Sequence, residues 1–270
     1  MPKGKKTKTQ KILKIKNGTE WSFEDEVVEE RPLSILLNGQ KLVTLLSTPS
    51  DQKYLALGFL FSEGLIKKRD EIKKVQFLSG KNEVKVFTEK SIKLSDEFLK
   101  DALFLSGCGK GKSFEKLEDV NLLEDVLINL EFTVKAEDIT NLIKDFEKKS
   151  SLFRATGGVH SAALARKDKI LLFKEDIGRH NAVDKVLGES LVKKIPLGDK
   201  ILVSSGRVSS DIVKKTQRAK INLIVSRSAP TSLAIELAKK LGITIVGFAR
   251  SKRMNIYTYP MRIIVPDKSD

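Results

Sequence analysis

The chain has 270 residues, 40% of them hydrophobic, so it is long enough to bury one large core or two ordinary ones. Its formal net charge is +15, and seven lysines between Lys3 and Lys16 supply almost half of that excess. A single cysteine excludes an intrachain disulfide and, with only two histidines, argues against a Cys/His zinc site. We see no apolar stretch of secretory or membrane-spanning length, so we expect a cytoplasmic protein with no membrane partner and no protein-ligated metal.

The amino end is basic and polar. The lysines, with no acidic residue among them up to Lys16, predict a disordered tail over residues 1–20. A nucleic-acid-binding arm would need aromatic stacking partners or a recognition helix nearby, and we find neither. We therefore expect a solvated tail or a weak docking arm, and no nucleic-acid partner.

Residues 21–134 have the pattern of an α+β domain with mostly antiparallel strands. Short apolar runs alternate with turn residues, and the Asn38-Gly39 dipeptide is typical of a type I′ hairpin turn. The predicted elements are a hairpin of residues 34–37 and 41–46, a buried helix from Ser50 or Asp51 to about Ser62, and a second hairpin in which Val75 and Phe77 face Val84 and Val86.

Residues 135–270 have the pattern of an α/β domain. Short apolar strands alternate there with helical stretches, which is typical of parallel βαβ units with right-handed connections. The predicted elements are a helix over 138–149, a hairpin of 161–165 and 170–173, strands at 201–203, 223–225 and 243–248, and helices at 211–219 and 232–241.

Cys108 is the only cysteine, and it lies in a run of Gly, Lys and Ser residues from Ser106 to Ser113. Almost nothing in this run could bury a thiol, the glycines give access to solvent, and two lysines favour the thiolate. We therefore interpret Cys108 as a solvent-accessible, reactive nucleophile. The alternative is an incidental cysteine on a flexible surface loop.

Four loops that follow predicted strands each carry an arginine. The arginines, mostly with Ser or Gly beside them, are Arg179, Arg207, Arg227 and Arg250. Ligands of open α/β sheets bind at the carboxyl ends of the strands. A guanidinium group can bind a phosphate group through two parallel N–H···O hydrogen bonds. The pattern predicts a small polyanionic ligand with more than one phosphate. The alternative is that so basic a chain carries arginine in most of its loops.

The two histidines lie beside these loops. His160 follows Gly157-Gly158 and precedes a strand, whereas His180 follows Arg179 at the start of a helix. A lone histidine is more often a structural hydrogen-bonding residue than a ligand or a base, and that interpretation is favoured for each one separately. Their position nevertheless makes both of them candidate ligand-binding residues.

Six segments carry a resemblance to a known family. They are RPLSI (31–35), LALGFLFSEG (55–64), ATGGVH (155–160), DIGRHNAVDK (176–185), SSGR (204–207) and SRSAPT (226–231). These segments resemble the formate dehydrogenase accessory sulfurtransferase (FdhD) family, and the resemblance extends from Arg31 to about Pro266.

The resemblance implies a sulfur carrier, that is, a sulfurtransferase. Such a protein takes sulfur from a cysteine desulfurase as a persulfide and passes it to the bis-molybdopterin guanine dinucleotide cofactor, which is cargo bound as a substrate and destined for formate dehydrogenase. It also implies a cytidine-deaminase-like, three-layer α/β fold for residues 135–270 and a guanine nucleotide as a ligand. A homodimer is expected.

The implied roles fall on particular residues. Cys108 would hold the persulfide, and the stretch Phe248, Ala249, Arg250, Ser251, Lys252 and Arg253 would bind the cofactor. Gly111 stands where many relatives have a second cysteine, so release of the sulfur through an intrachain disulfide is excluded.

Two other functions stay open. Gly111-Lys112-Ser113 completes the end of a phosphate-loop motif whose first glycine is replaced by Ser106, which would suit an NTPase that depends on Lys112. A non-enzymatic chaperone that only holds the molybdenum cofactor would need the arginine loops but not Cys108.

Overall fold

The computed structural model describes residues 5–90 and 132–265. The strands are β1 (Thr7–Lys16), β2 (Thr19–Val28), β3 (Arg31–Leu37), β4 (Gln40–Ser47), β5 (Ile72–Leu78), β6 (Glu83–Thr88), β7 (Val134–Lys135), β8 (His160–Arg166), β9 (Lys169–Asp176), β10 (Ile201–Ser204), β11 (Leu223–Ser226), β12 (Thr244–Arg250), β13 (Arg253–Ile256) and β14 (Ile263–Ile264). The α-helices are α1 (Gln52–Ser62), α2 (Ala136–Lys149), α3 (Ser151–Thr156), α4 (Arg179–Val192), α5 (Ser210–Arg218) and α6 (Ser232–Lys240). None of these helices combines the length and the apolar character that crossing a bilayer requires.

The prediction of a disordered tail over residues 1–20 is wrong for most of that segment. β1 pairs with β2 in an antiparallel ribbon, and the turn residues Asn17 and Gly18 have the positive φ angles, 53° and 79°, of a type I′ turn. The ribbon is exposed on both faces, so the lysines of β1 keep their hydration while Thr and Ile residues supply the strand preference. Counting charge without weighing this turn signal produced the error.

The predicted hairpins of the first half are confirmed. β3 and β4 form the first of them, and in the second Val75 faces Val86 while Phe77 faces Val84. The two hairpins join through a parallel β3–β6 pair into a four-stranded sheet of order β4-β3-β6-β5, a connection that the sequence pattern did not indicate. Asp51 does precede α1, but its carboxylate binds Lys174 Nζ at 2.8 Å rather than capping the helix.

The second half is built on a six-stranded mixed sheet of order β13-β12-β11-β10-β8-β9. β10, β11 and β12 are parallel, as predicted, and α5 and α6 connect them. β8 is antiparallel to both of its neighbours, so β9 points in the same direction as β10, β11 and β12. The carboxyl ends of four strands and the amino end of β8 therefore lie on one edge of the sheet.

The two faces of this sheet bury different cores. On one face Leu202, Ile224 and Ile245 pack into a cluster that also contains residues of α1, α4, α5 and α6 and of the four-stranded sheet. On the other face Val203, Val225 and Val246 pack with the apolar stripe of α2, which consists of Ile139, Leu142, Ile143 and Phe146. The layers are thus helices, sheet and helix. The first cluster crosses the predicted domain boundary at residue 134, so the two parts of the chain share one core.

α1 and α4 cross with their backbones in contact. A Cβ atom on Gly58 would lie 1.7 Å from the carbonyl oxygen of Asp184, and one on Gly188 would lie 1.9 Å from that of Tyr54. No side chain can occupy those positions without separating the helices. The two glycines therefore set how closely the first part of the chain docks on the second.

A buried ionic cluster reinforces the same crossing. Lys215 Nζ on α5 lies 2.9 Å from each carboxylate oxygen of Asp184 and 2.7 Å from Ser62 Oγ. Ser62 ends α1, so three helices meet at one ion pair. Removing one partner would leave a buried charge uncompensated.

Candidate functional site

The four arginines predicted to share an edge do share it. Arg179 follows β9, Arg207 follows β10, Arg227 follows β11 and Arg250 ends β12; together with His160 at the start of β8 they form what we call the arginine edge. Three helices, α4, α5 and α6, begin just beyond these strand ends, so their positive amino termini lie on the same side. The arrangement is electrostatically suited to an anion.

The serines of this edge build the loops. Ser204 Oγ accepts a hydrogen bond from the Gly206 amide at 3.1 Å, and Ser226 Oγ donates to the Gly206 carbonyl at 2.7 Å. The loops are also tied to each other, because the Arg227 amide donates to the Ser204 carbonyl. The small side chains thus fix the backbone that carries the arginines, rather than themselves pointing to a ligand.

The side chain of Arg179 packs against Gly206, where no larger residue would fit. A Cβ atom at residue 206 would lie 2.8 Å from Cβ of Arg179 and 3.1 Å from its Cδ. The guanidinium stem therefore lies across the glycine, and the loop after β10 supports the arginine that follows β9. The arginine loops are packed on one another, so the edge is a single surface.

His160 is held between two loops. Its Nδ1 lies 3.3 Å from Ser205 Oγ, and the same oxygen accepts a hydrogen bond from the Ser161 amide at 2.9 Å. Burial and the nearby Arg179 guanidinium lower the pKa of His160, although Asp176 opposes the shift. The imidazole is therefore neutral at pH 7 and can offer a hydrogen bond without adding charge.

His180 is also neutral. Burial lowers its pKa to about 3, and the positive charges of Lys215 and Arg179 act in the same direction. A histidine with this pKa does not act as a proton acceptor at neutral pH. Both histidines lie near cations, at the start of β8 and of α4, and neither is charged at pH 7.

Much of the segment 176–185 points inward. Asp176 and Lys185 form a fully buried ion pair at 2.6 Å, and Asp176 also accepts hydrogen bonds from the amides of Thr48 and Gly178. Asn181 donates to Asp176 and to the Leu46 carbonyl, both within 2.9 Å. The sequence analysis did not predict these partners. Asp176 precedes α4 and Lys185 lies within it, nine residues later, so the opposite charges of these two residues could have suggested an ion pair.

Arg227 and Arg250 are partly engaged with the protein. Arg227 Nε lies 3.0 Å from Glu147 Oε1 near the end of α2, and Arg250 donates to the Arg227 carbonyl and, at 3.0 Å, to that of Ala249. Each arginine has five N–H donors, so these contacts orient the guanidinium groups and leave further donor capacity for a ligand. Arg207 is exposed.

Phe248 is an aromatic residue in a conformation that favours glycine. Its φ angle is 49°, and the register of β12 and β13 shifts at this point, between Gly247 and Arg250. Gly247 allows the kink, because a Cβ there would lie 2.8 Å from the Tyr257 ring. The bulge leaves the Phe248 side chain 37% exposed. Outlying backbone at a bulge often re-aims a side chain at a functional site.

The predicted stretch Phe248–Arg253 does not act as one surface. Arg250 turns toward Arg227, whereas Ser251, Lys252 and Arg253 line a groove between β13 and α2. Ala249 is buried beneath them and packs in the α2 core. The structure therefore brings Phe248 and Arg250 to the arginine edge and places the last three residues beside it.

Cys108 lies outside the described residues, as do Ser106, Gly111, Lys112 and Ser113. The predictions of a persulfide site and of a phosphate loop stay predictions. Among the residues that the structure describes, no group of three or more His, Cys, Asp and Glu side chains could hold a metal ion.

Comparison with known proteins decides the family. The model of the FdhD/NarQ family matches residues 28–264. The chain belongs to the FdhD/NarQ family. It is 39% identical over 259 residues to the sulfur carrier protein FdhD of Bacillus licheniformis, with 95% of this chain and 97% of the relative covered. The corresponding protein of Bacillus subtilis is 38% identical, with 96% and 98% covered.

A solved structure supports the same assignment. A crystal structure described as a formate dehydrogenase accessory protein from Desulfotalea psychrophila matches with a TM-score of 0.77 and 29% identity, covering 96% of this chain and 99% of that one. The resemblance noted from the six segments is therefore confirmed, and the mixed α/β architecture is that of an FdhD protein.

Proposed function

We propose that this protein is a sulfur carrier that accepts sulfane sulfur from a cysteine desulfurase on Cys108 and transfers it to the bis-molybdopterin guanine dinucleotide cofactor for formate dehydrogenase. The observation that carries the proposal is the arginine edge, where four arginines, three helix amino termini and an exposed phenylalanine lie at neighbouring strand ends. Relatives named sulfur carrier protein FdhD and an accessory protein of formate dehydrogenase support it.

The edge suits the nucleotide part of this cargo. Pyrophosphate oxygens accept paired hydrogen bonds from guanidinium groups, and the neutral imidazole of His160 can add a donor without further cationic repulsion. The exposed ring of Phe248 offers a face for stacking a base. We assign cofactor binding at this edge to Arg179, Arg207, Arg227, Arg250, Phe248, His160 and His180.

The sulfur chemistry needs one thiol. The Cys108 thiolate attacks the outer sulfur of a desulfurase persulfide, and the desulfurase cysteine leaves as a thiolate. In the second transfer the S–S bond of the Cys108 persulfide breaks, Cys108 leaves as a thiolate, and the metal centre of the cargo supplies the electron pair that reduces the outer sulfur to sulfide. Neither transfer step requires a second cysteine, which is consistent with glycine at residue 111.

The carrier role is tested by mass spectrometry of the intact protein after incubation with a cysteine desulfurase and cysteine. We expect a gain of about 32 Da, one sulfur atom, at Cys108. Cys108→Ser makes the chain free of cysteine and serves as the control. An unchanged mass, or an adduct that survives in Cys108→Ser, would contradict the proposal and favour a chaperone that only holds the cofactor.

Three further properties belong to the proposal. We place the protein in the cytoplasm, where desulfurases keep sulfane sulfur available, and expect it to act as a homodimer. We assign residues 135–270 a cytidine-deaminase-like arrangement, supported by a mixed sheet between helical layers.

Calorimetry with GDP tests the nucleotide part of the proposal. Binding of GDP that weakens as the salt concentration rises would support it. Absence of heat at millimolar GDP would contradict it.

A further inference from the structure

The β1–β2 ribbon exposes large apolar side chains to solvent. Each of its strands has ten residues, and the side chains in question are those of Leu13, Ile15, Trp21, Phe23 and Val27. Exposed apolar side chains gathered on one element are typical of a surface that binds another protein. A two-stranded ribbon is also only marginally stable by itself in water, so a bound protein would supply apolar contacts that this element lacks.

The two faces of the ribbon carry opposite charge. Paired residues of antiparallel strands place their side chains on the same face, and successive residues alternate between faces. The register of β1 and β2 therefore gives one face three lysines and one acid, which are Lys8, Lys14, Lys16 and Asp25. The other face has one lysine and three acids, which are Lys11, Glu20, Glu24 and Glu26. We call the first of these the cationic face.

The cationic face also carries both aromatic residues of the ribbon. Trp21, Phe23 and Val27 lie on this face of β2 and are 38%, 39% and 42% exposed. At about 3.4 Å per residue they form a stripe roughly 20 Å long. Lys14 Nζ lies 4.2 Å from the centroid of the Phe23 ring, a cation–π contact that helps to orient both side chains. Aromatic residues of this kind contribute much of the binding energy in protein interfaces.

The base of the ribbon adjoins the arginine edge. Val28, the last residue of β2, packs so closely on Gly158 that a Cβ atom on the glycine would lie 2.7 Å from Val28 Cγ1. Gly158 is two residues before His160, and β2 also contacts α3. A protein bound along the ribbon therefore lies next to the place where the cargo of the proposed function would be held and released.

Charge favours an acidic protein surface over other occupants of the cationic face. Two copies of the chain that met through this face would bring lysines against lysines, and a cationic face on the opposite face of a second copy forms a contact that does not close. Nucleic acids also bind aromatic and cationic side chains, but the four acids of β2, which are Glu20, Glu24, Asp25 and Glu26, would repel their phosphates. Apolar contact surrounded by acidic groups matches the face best.

We propose that the cationic face is the docking surface for cofactor-free formate dehydrogenase, which contacts it through an acidic and apolar patch. The inference rests on the proposed function, because that function requires a protein that receives the cargo. Trp21 and Phe23 supply the apolar contact, and the lysines attract the acidic groups. Docking there brings the receiving enzyme beside the arginine edge.

The test is a binding measurement between the full chain and cofactor-free formate dehydrogenase of the same organism, immobilised for biolayer interferometry. We expect saturable binding that weakens as the salt concentration rises, because lysines contribute to the contact. Trp21→Thr and Phe23→Thr keep a residue type that favours strands, and each should weaken binding by about 30-fold or more. Lys14→Glu should weaken it by about tenfold and reduce the effect of salt.

Two control variants match these changes. Leu13→Thr removes a side chain that is 61% exposed on the opposite face of the same ribbon, so it should leave binding unchanged. Lys239→Glu reverses an exposed charge on α6, away from the ribbon, and should also leave binding unchanged. Amide hydrogen exchange of residues 7–28 verifies that the ribbon is retained in each variant.

Several outcomes would overturn the docking surface. They are no binding by the parent protein, binding that Trp21→Thr and Phe23→Thr leave unaltered, and an equal loss in Leu13→Thr. A lower oligomeric mass of the two threonine variants in sedimentation would make the face a contact between copies, and loss of binding to a single-stranded oligonucleotide would make it a nucleic-acid site. The mass gain at Cys108 and GDP binding test the proposed function independently, and both should be unchanged in Trp21→Thr and Phe23→Thr.

Discussion

The buried crossing of α1 and α4 and the arginine edge use charge in opposite ways. Asp184 at the crossing and Asp176, which precedes α4, are buried, and each is paired with a buried lysine. At the edge, four arginines lie at neighbouring strand ends, and Glu147 contacts one of them, Arg227. Both regions belong to one helix, because Arg179 and His180 open α4 at the edge while Asp184 and Lys185 continue it into the core.

That difference shows where the fold is stabilised and where a ligand can contribute binding energy. Charges that satisfy one another inside the core fix the docking of two sheets, and their removal should lower stability. We expect charges gathered on a surface to contribute less to stability, because solvent screens them.

The largest effect should follow Gly58→Ala. The new methyl group would meet the Asp184 carbonyl at 1.7 Å, and backbone atoms on both sides cannot rotate away. We expect α1 and α4 to separate and most soluble, folded protein to be lost. Gly198→Ala, where a Cβ meets nothing within 4 Å, is the control and should express and melt like the parent.

Lys185→Met should be the next most damaging change. It leaves the Asp176 carboxylate buried without its cation, which we expect to lower the free energy of unfolding by about 3–5 kcal/mol in urea denaturation. Adding Asp176→Asn should recover part of that loss, since no buried charge then remains. Lys148→Met breaks an exposed pair with Asp145 and should leave the midpoint unchanged. Equal losses for Lys185 and Lys148 variants would contradict the distinction.

The neutral histidine at the start of α4 predicts a pH dependence. The pKa of His180 falls to about 3 on folding, below the unfolded value of about 6.5, so its contribution is present above pH 6.5 and is lost as pH falls toward 3. The loss between pH 7 and pH 5 should reach at most about 2 kcal/mol in urea denaturation. His180→Gln should flatten this part of the profile. Stability that rises on acidification in the parent would show that the ring is charged in the fold.

The smallest effect on stability should come from the edge. Phe248→Asn keeps a residue type that tolerates a positive φ but removes the exposed ring, so the free energy of unfolding should change by less than about 0.5 kcal/mol. GDP affinity should fall by about tenfold or more, because a stacking face is lost. Leu171→Asn removes an apolar side chain of similar exposure from β9 and should leave both quantities unchanged. A large drop in stability with unaltered GDP binding would make Phe248 structural.

The positions of the elements followed from local patterns. Three local patterns predicted elements correctly: the turn residues Asn38-Gly39, the alternation of apolar and polar residues in the two hairpins, and the helical spacing of apolar residues in α2. Each depends only on residues close together in sequence, so one sequence is enough to recognise it. Parallel strands joined by helices likewise predicted that the arginine loops would meet at one edge. The same reasoning failed at the amino end, where abundant lysine outweighed the turn signal at Asn17-Gly18.

Only the tertiary structure decided which polar residues are buried in ion pairs and hydrogen bonds and which lie at the arginine edge. In the segment 176–185, Asp176, Asn181, Asp184 and Lys185 are buried, whereas Arg179 is half-buried. Their partners, such as Thr48, Ser62 and Lys215, are 31 to 128 residues away along the chain. A sequence shows the residue types that could bind an anion or form an ion pair, but burial and the choice of partner arise only when distant segments pack. The same packing divided Phe248–Arg253 between an edge and a groove.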